Sequence, residues 1–109
     1  MNWQQNLSDV LGSYFCDSTV EEGVAELVFT TKDDTEYHRL CLSAFDEGLQ
    51  ATVQGTPQQQ AQLVAILRKS NLAAATADDV SAILEEIRTE YLRQYSIARS
   101  RVAPTGNVK

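Results

Sequence analysis

The sequence predicts an α+β fold: an N-terminal helix, a three-stranded antiparallel meander, then two helices of which the last is long. Three observations carry this reading. Apolar residues recur with a helical period at both ends of the chain, they alternate with a period of two between residues 23 and 53, and turn-forming residues separate the alternating runs.

The first segment places Trp3, Leu7, Val10, Leu11 and Tyr14 at intervals of four, three, one and three, which is one face of a helix. A helix over 2–15 follows, with Asn2 as its cap and Gln5, Ser8 and Asp9 toward solvent. Cys16, Asp17, Ser18 and Thr19 read as a break. From Gly23 onward Ala25, Leu27 and Phe29 alternate with Glu26, Val28 and Thr30, the pattern of a strand with one apolar face. Lys32, Asp33, Asp34 and Thr35 supply a turn, and 36–45 reads as a central strand, with Leu40, Leu42 and Ala44 on one face and Tyr37, Cys41 and Phe45 on the other. Asp46, Glu47 and Gly48 make the next turn, the glycine being free to take a positive φ, and Leu49, Ala51 and Val53 form the third strand.

Thr56 followed by Pro57 is a helix start with a physical basis. The threonine oxygen accepts from free amides, and proline fits the first helical position, where an N–H has no partner anyway. This helix runs to Lys69 and buries Val64, Leu67 and one of Leu63 or Ile66, and Ser70 and Asn71 stop it. Residues 72–75 fit either a short helical turn or a packed linker. Thr76 and Asp79 form a variant capping box that opens a last helix over 76–101. Its seam, Val80, Leu84, Ile87, Tyr91, Tyr95, Ala98 and Val102, advances by about 3.67 residues per step, as in a straight helix. At about 37 Å this helix is longer than a sheet of about 20 Å needs as a cover, so its distal part is expected to project. One domain over 1–102 and a frayed tail over 103–109, marked by Pro104 and Gly106, complete the organisation.

Composition limits what the chain can be. Its 109 residues, 43% of them hydrophobic, suffice for one core without disulfides or metals. The longest uninterrupted apolar run is Leu63 to Leu67, far short of the roughly 20 residues that cross a bilayer, so no membrane segment is expected. The first five residues carry neither the basic nor the apolar region of a secretory signal, which predicts a cytoplasmic address. The net charge of −6 is unevenly spread. Residues 1–50 hold ten acids against two bases, a net of −8, and residues 51–109 hold five acids against seven bases, a net of +2.

Chemistry-bearing residues are few. Cys16 and Cys41 stand 25 positions apart, His38 is the sole histidine, and these three cannot close a four-ligand zinc site. Both cysteines are expected to be reduced structural thiols. With one histidine and no nucleophile elbow, no catalytic triad is expected, and on a strand Cys41 would face away from His38. The acid pairs Glu21-Glu22, Asp33-Asp34 and Asp46-Glu47 lack the spacing of a calcium loop and read as solvated turn acids. The five glycines form no phosphate-cradling loop. No catalytic, cofactor-binding or metal-binding residue is therefore predicted. One stretch has the composition of a contact surface: Arg88, Tyr91, Tyr95, Ala98 and Arg99, since tyrosine and arginine are enriched at binding hot spots.

The order helix, meander, helix and long helix in a small acidic chain resembles the class I chaperones of type III secretion. The resemblance spans residues 1–70 and implies a homodimer that cradles an unfolded segment of a client protein. The expected function is a non-enzymatic, chaperone- or adaptor-like interaction module that dimerises or binds a partner through its last helix. The alternative is an inhibitor or immunity protein whose acidic half masks a basic or nucleic-acid-binding site. Direct binding of nucleic acid by the arginine-rich end ranks below both.

Overall fold

The structure, a computed structural model, describes residues 2–102, the side chains of the last two excepted. The tail expected over 103–109 lies outside the described residues. The described residues fold into five helices: α1 (Trp3–Tyr14), α2 (Val20–Thr31), α3 (Thr35–Gln54), α4 (Pro57–Lys69) and α5 (Ala77–Val102). This corrects the α+β expectation. Among the described residues there is no strand, and α2 and α3 occupy the span assigned to the meander.

The buried residues explain why these segments are helices. In α2 they are Gly23, Val24, Leu27, Val28 and Thr31, and in α3 Cys41, Ala44, Phe45, Gly48 and Ala51, both sets at spacings of one, three and four. The supposed strand face of α2 does not exist, because Phe29 is 76% exposed and Ala25 is exposed as well. The head of α2 also carries a helix start signal. Thr19 Oγ1 accepts from the Glu22 amide at 3.1 Å, and the Glu22 carboxylate accepts from the Thr19 amide at 3.1 Å, a complete capping box. Asp34, expected in a turn, is the cap of α3 and accepts from the Tyr37 amide at 3.0 Å.

The helices at the two ends agree with their sequence signals. Asn2 caps α1, and Thr56 and Gln59 form a capping box around Pro57. At the head of α5 the Asp79 carboxylate accepts from the Ala75 and Thr76 amides at 2.8 and 3.1 Å, and these bonds hold it below the usual carboxylate range. Residues 72–75 are a linker with no regular structure. It follows Asn71, which takes a left-handed φ of 63° after α4, and Ala74 packs into the core.

The axis of the core is α5, whose Val80, Leu84, Ile87 and Tyr91 have no exposed surface. Helices α2, α3 and α4 pack directly on it, and α1 closes the far side against α3 and α4. Helix α3 runs antiparallel to α5: Gly48 faces Leu84, Asp46 pairs with Arg88 at 2.6 Å, and His38 meets Tyr91 and Tyr95. Gly48 is therefore not a turn residue. A β-carbon there would stand 3.0 Å from Leu84 Cδ1 and 3.2 Å from Leu7 Cδ2, so its missing side chain is what lets α1, α3 and α5 meet. No described residue after Tyr91 is fully buried, but Leu92, Tyr95 and Ala98 still pack against the core, so the distal part of α5 does not simply project as expected.

One substitution at two glycines should give opposite signs. A β-carbon at Gly23 would fall 2.5 Å from both the Phe15 ring and the Tyr14 carbonyl, neither of which can yield cheaply. Gly23→Ala should lower stability by about 1–3 kcal/mol in urea unfolding. Gly12 lies exposed in α1 with its nearest neighbour, Ser70 Oγ, at 3.8 Å. Gly12→Ala should instead raise stability by about 0.5–1 kcal/mol, because only the helix preference for alanine changes.

Candidate functional site

Two places in the molecule hold polar or aromatic groups in arrangements that the core alone does not require. The first is a buried hydroxyl network between α2, α3 and α5. Tyr91, with no exposed surface, donates its hydroxyl to Thr31 Oγ1 at 2.8 Å, and His38 Nδ1 lies 2.7 Å from the same phenol oxygen. The phenol oxygen thus takes one partner from α2 and one from α3, and the ring nitrogen that meets it is Nδ1. Tyr95 stacks on the His38 ring, with centroids 3.8 Å apart and planes 5° from parallel, and the Phe45 ring meets Tyr91 edge-on. Burial holds the His38 imidazole below its ordinary pKa, with the positive charges of Arg39 and Arg99 adding to the effect. Burial likewise pushes the Tyr91 phenol up.

These groups are committed to the fold. On a helix His38 and Cys41 are three residues apart and share a face, so the strand argument for separating them lapses. Their partners separate them: His38 takes Tyr91, while Cys41 lies beside Tyr37. Burial pushes the Cys41 thiol up to about 12, with the Tyr37 hydrogen bond acting against it, which leaves little thiolate at neutral pH. Among the described residues no group of three metal-ligating side chains converges, and no helix is long and apolar enough to cross a membrane.

Of the five residues singled out as a contact surface, Tyr91 presents no surface at all. Tyr95 is half-buried against His38, Arg88 is paired with Asp46, and Arg99 donates to the Lys32 carbonyl at 2.8 Å, satisfying the end of α2. Ala98 alone opens onto a surface hollow, together with residues that sequence reasoning placed in a strand or passed over.

That hollow belongs to the second arrangement, the outer face of the α2–α5 pair. Ala25, Val28 and Phe29 of α2 meet Gln94, Ile97 and Ala98 of α5 around an apolar depression. Phe29 is 76% and Ile97 40% exposed, and Lys32 Nζ sits 5.4 Å from the centre of the Phe29 ring. Toward the start of both helices a second depression is lined by Glu21, Glu85, Glu86 and Glu90 with Val20 and Ala82. Gln94 bridges the seam between them, donating to Glu90 at 2.7 Å and to the Glu21 carbonyl at 3.4 Å. Hydrogen bonds from Arg93 and then Gln94 hold the Glu90 carboxyl down at about 2. Glu21, Glu85 and Glu86 have no ion-pair partner among the described residues. A helical reading of 20–31 would have exposed the signal, since Phe29 then falls outside the apolar stripe.

No family model, curated protein or solved structure compared with the chain matches it. The five helices also do not reproduce the element order that carried the resemblance to type III secretion chaperones, because that order included the meander.

Two measurements check the network. Tyr91→Phe keeps the ring but strands Thr31 and His38, and should cost about 1–3 kcal/mol in urea unfolding. In the wild type, nitrogen NMR of the single histidine should show one neutral tautomer held by the Tyr91 contact, a preference that Tyr91→Phe removes. The pH dependence follows from the sign of the His38 shift. Its folded pKa lies below the unfolded value, so the unfolded chain takes up the proton first. The stability this group contributes is complete above about pH 6.5 and is lost as pH falls below it. The urea midpoint should therefore fall between about pH 7.5 and about 5.5 more in the wild type than in His38→Gln.

Proposed function

We propose that this chain is a small acidic binding module that acts by holding another protein along the outer face of the α2–α5 pair, not by catalysis. The observation that carries the reading is the exposure of Phe29 and Ile97 side by side in one hollow, on a helix pair whose core is already complete without them. Large apolar groups exposed together mark contact surfaces more often than solvent-facing ones. The non-catalytic part of the reading is supported by the engagement of His38 and Cys41 inside the fold.

In this reading the last helix contributes Ile97, Ala98 and its glutamates, with α2 contributing as much. Homodimerisation is one form such binding takes. The inhibitor-like alternative has an observation of its own in Glu21, Glu85 and Glu86, which offer unpaired charge to a basic surface. A cytoplasmic address fits both.

Phe29→Asp with Ile97→Asp changes only exposed positions and should leave the helical circular dichroism unchanged. Affinity capture from lysate with wild type and variant should recover at least one protein that the variant loses. Light scattering on both would show whether that protein is a second copy of the 12.1 kDa chain. Identical capture by the two, with a monomer in both, would overturn the reading.

A further inference from the structure

The two hollows on the α2–α5 face lie end to end, and their chemistry differs from one end to the other. From Ala82 to Ala98 the α5 side of the face spans 16 residues, about 24 Å. One end presents Glu21, Glu85 and Glu86, and the other presents Phe29, Ile97, Ala25 and Val28. Resting on the binding-module reading above, we propose that the partner element is an amphipathic helix of about four to five turns, basic over one half and apolar over the other.

Length and charge together carry this inference. A helix laid along two parallel helices meets both depressions at once, whereas an isolated side chain or a small ligand fills only one. Helices α2 and α5 do run in the same direction on this face: Glu21 lies near Gln94, and Lys32 lies near Arg99. The acidic end is left with uncompensated negative charge after Arg93 neutralises Glu90. Lysines or arginines of an incoming helix supply the missing counter-charges, while an acidic or uniformly apolar helix leaves them unmet. The apolar end is narrower in its demands. Phe29 is largely exposed, with the Lys32 ammonium 5.4 Å from its ring centre, so the ring offers apolar surface to leucine-sized neighbours.

The test uses three synthetic helical peptides of about 16 residues, read by fluorescence anisotropy against the full chain. The first carries lysine and arginine over one half and a leucine face over the other. The second replaces the bases by glutamate, and the third replaces the leucines by alanine. The first should bind at least about tenfold more tightly than either of the others, and the advantage over the second should shrink with salt. In Glu85→Lys with Glu86→Lys the order of the first two peptides should reverse, and Phe29→Asp should weaken the first by about tenfold.

Equal binding of the first and second peptides, or binding of the first that Phe29→Asp leaves intact, would overturn the proposal. So would sedimentation showing a dimer that Phe29→Asp dissolves, because the face then belongs to a second copy. Should the peptides fail while lysate capture still depends on Phe29 and Ile97, the partner's chemistry is wrong and the binding module stands. Should both fail, both readings go.

Discussion

The buried stripe of α5 is the constraint on which the rest of the molecule depends. Val80, Leu84, Ile87 and Tyr91 are fully enclosed, and three other helices reach the core through them. Burying side chains of this size contributes roughly 1.5–3 kcal/mol each, so the stripe outweighs any single polar contact on the surface. Tyr91 ends it with a group that the apolar effect alone would reject. Its hydroxyl has to be satisfied where no water reaches, and Thr31 from α2 and His38 from α3 converge on it. One oxygen thereby fixes the relative placement of three helices, because a shift of any of them breaks a bond inside the core.

The same arithmetic shows why parts of the fold were legible in the sequence and parts were not. Helices α1, α4 and α5 carry long runs of a 3.6-residue period together with capping residues at their starts, so period and punctuation agree. In α3 they conflict. Tyr37, Cys41 and Phe45 are four apart, a spacing that satisfies a strand face and a helix face equally. Only the companions Ala44, Gly48 and Ala51 decide for the helix, and in sequence Ala44 and Ala51 also fit strand faces while Gly48 also fits a turn. Glycine at a helix crossing and glycine in a turn look alike in sequence, since both uses follow from its lacking a β-carbon. In α2 the deciding evidence was the Thr19–Glu22 box, which lay four residues before the start of the supposed strand.

The proposed contact surface shares with the residues that composition favours only Ala98 and its place on the last helix. Composition favoured the tyrosines and arginines of α5, and composition is silent about which way a side chain faces. Tyr91 and Tyr95 point inward because they continue the apolar stripe, and Arg88 and Arg99 are used to tie α5 to α3 and α2. What remains outward is what the stripe skips: Ile97, Glu85 and Glu86 on α5, and Glu21 and Phe29 on α2. Finding these needs the helical phase of α2, which the alternating reading had lost.

The charge distribution changes meaning in the same way. Counted along the chain, the acids belong to the first half and the bases to the second. Folded, Glu85 and Glu86 from the second half stand beside Glu21 from the first, so the acidic patch is assembled across that division. The outer face therefore changes character along the α2–α5 pair, from glutamates at one end to the exposed Phe29 and Ile97 at the other. Phe29 sits at the apolar end, in a helix position that faces water. The fold is indifferent to what occupies that position, and solubility disfavours a large aromatic there. A residue that neither packing nor solvation asks for supports the proposed contact with another molecule, and the exposed isoleucine across the same hollow supports it too.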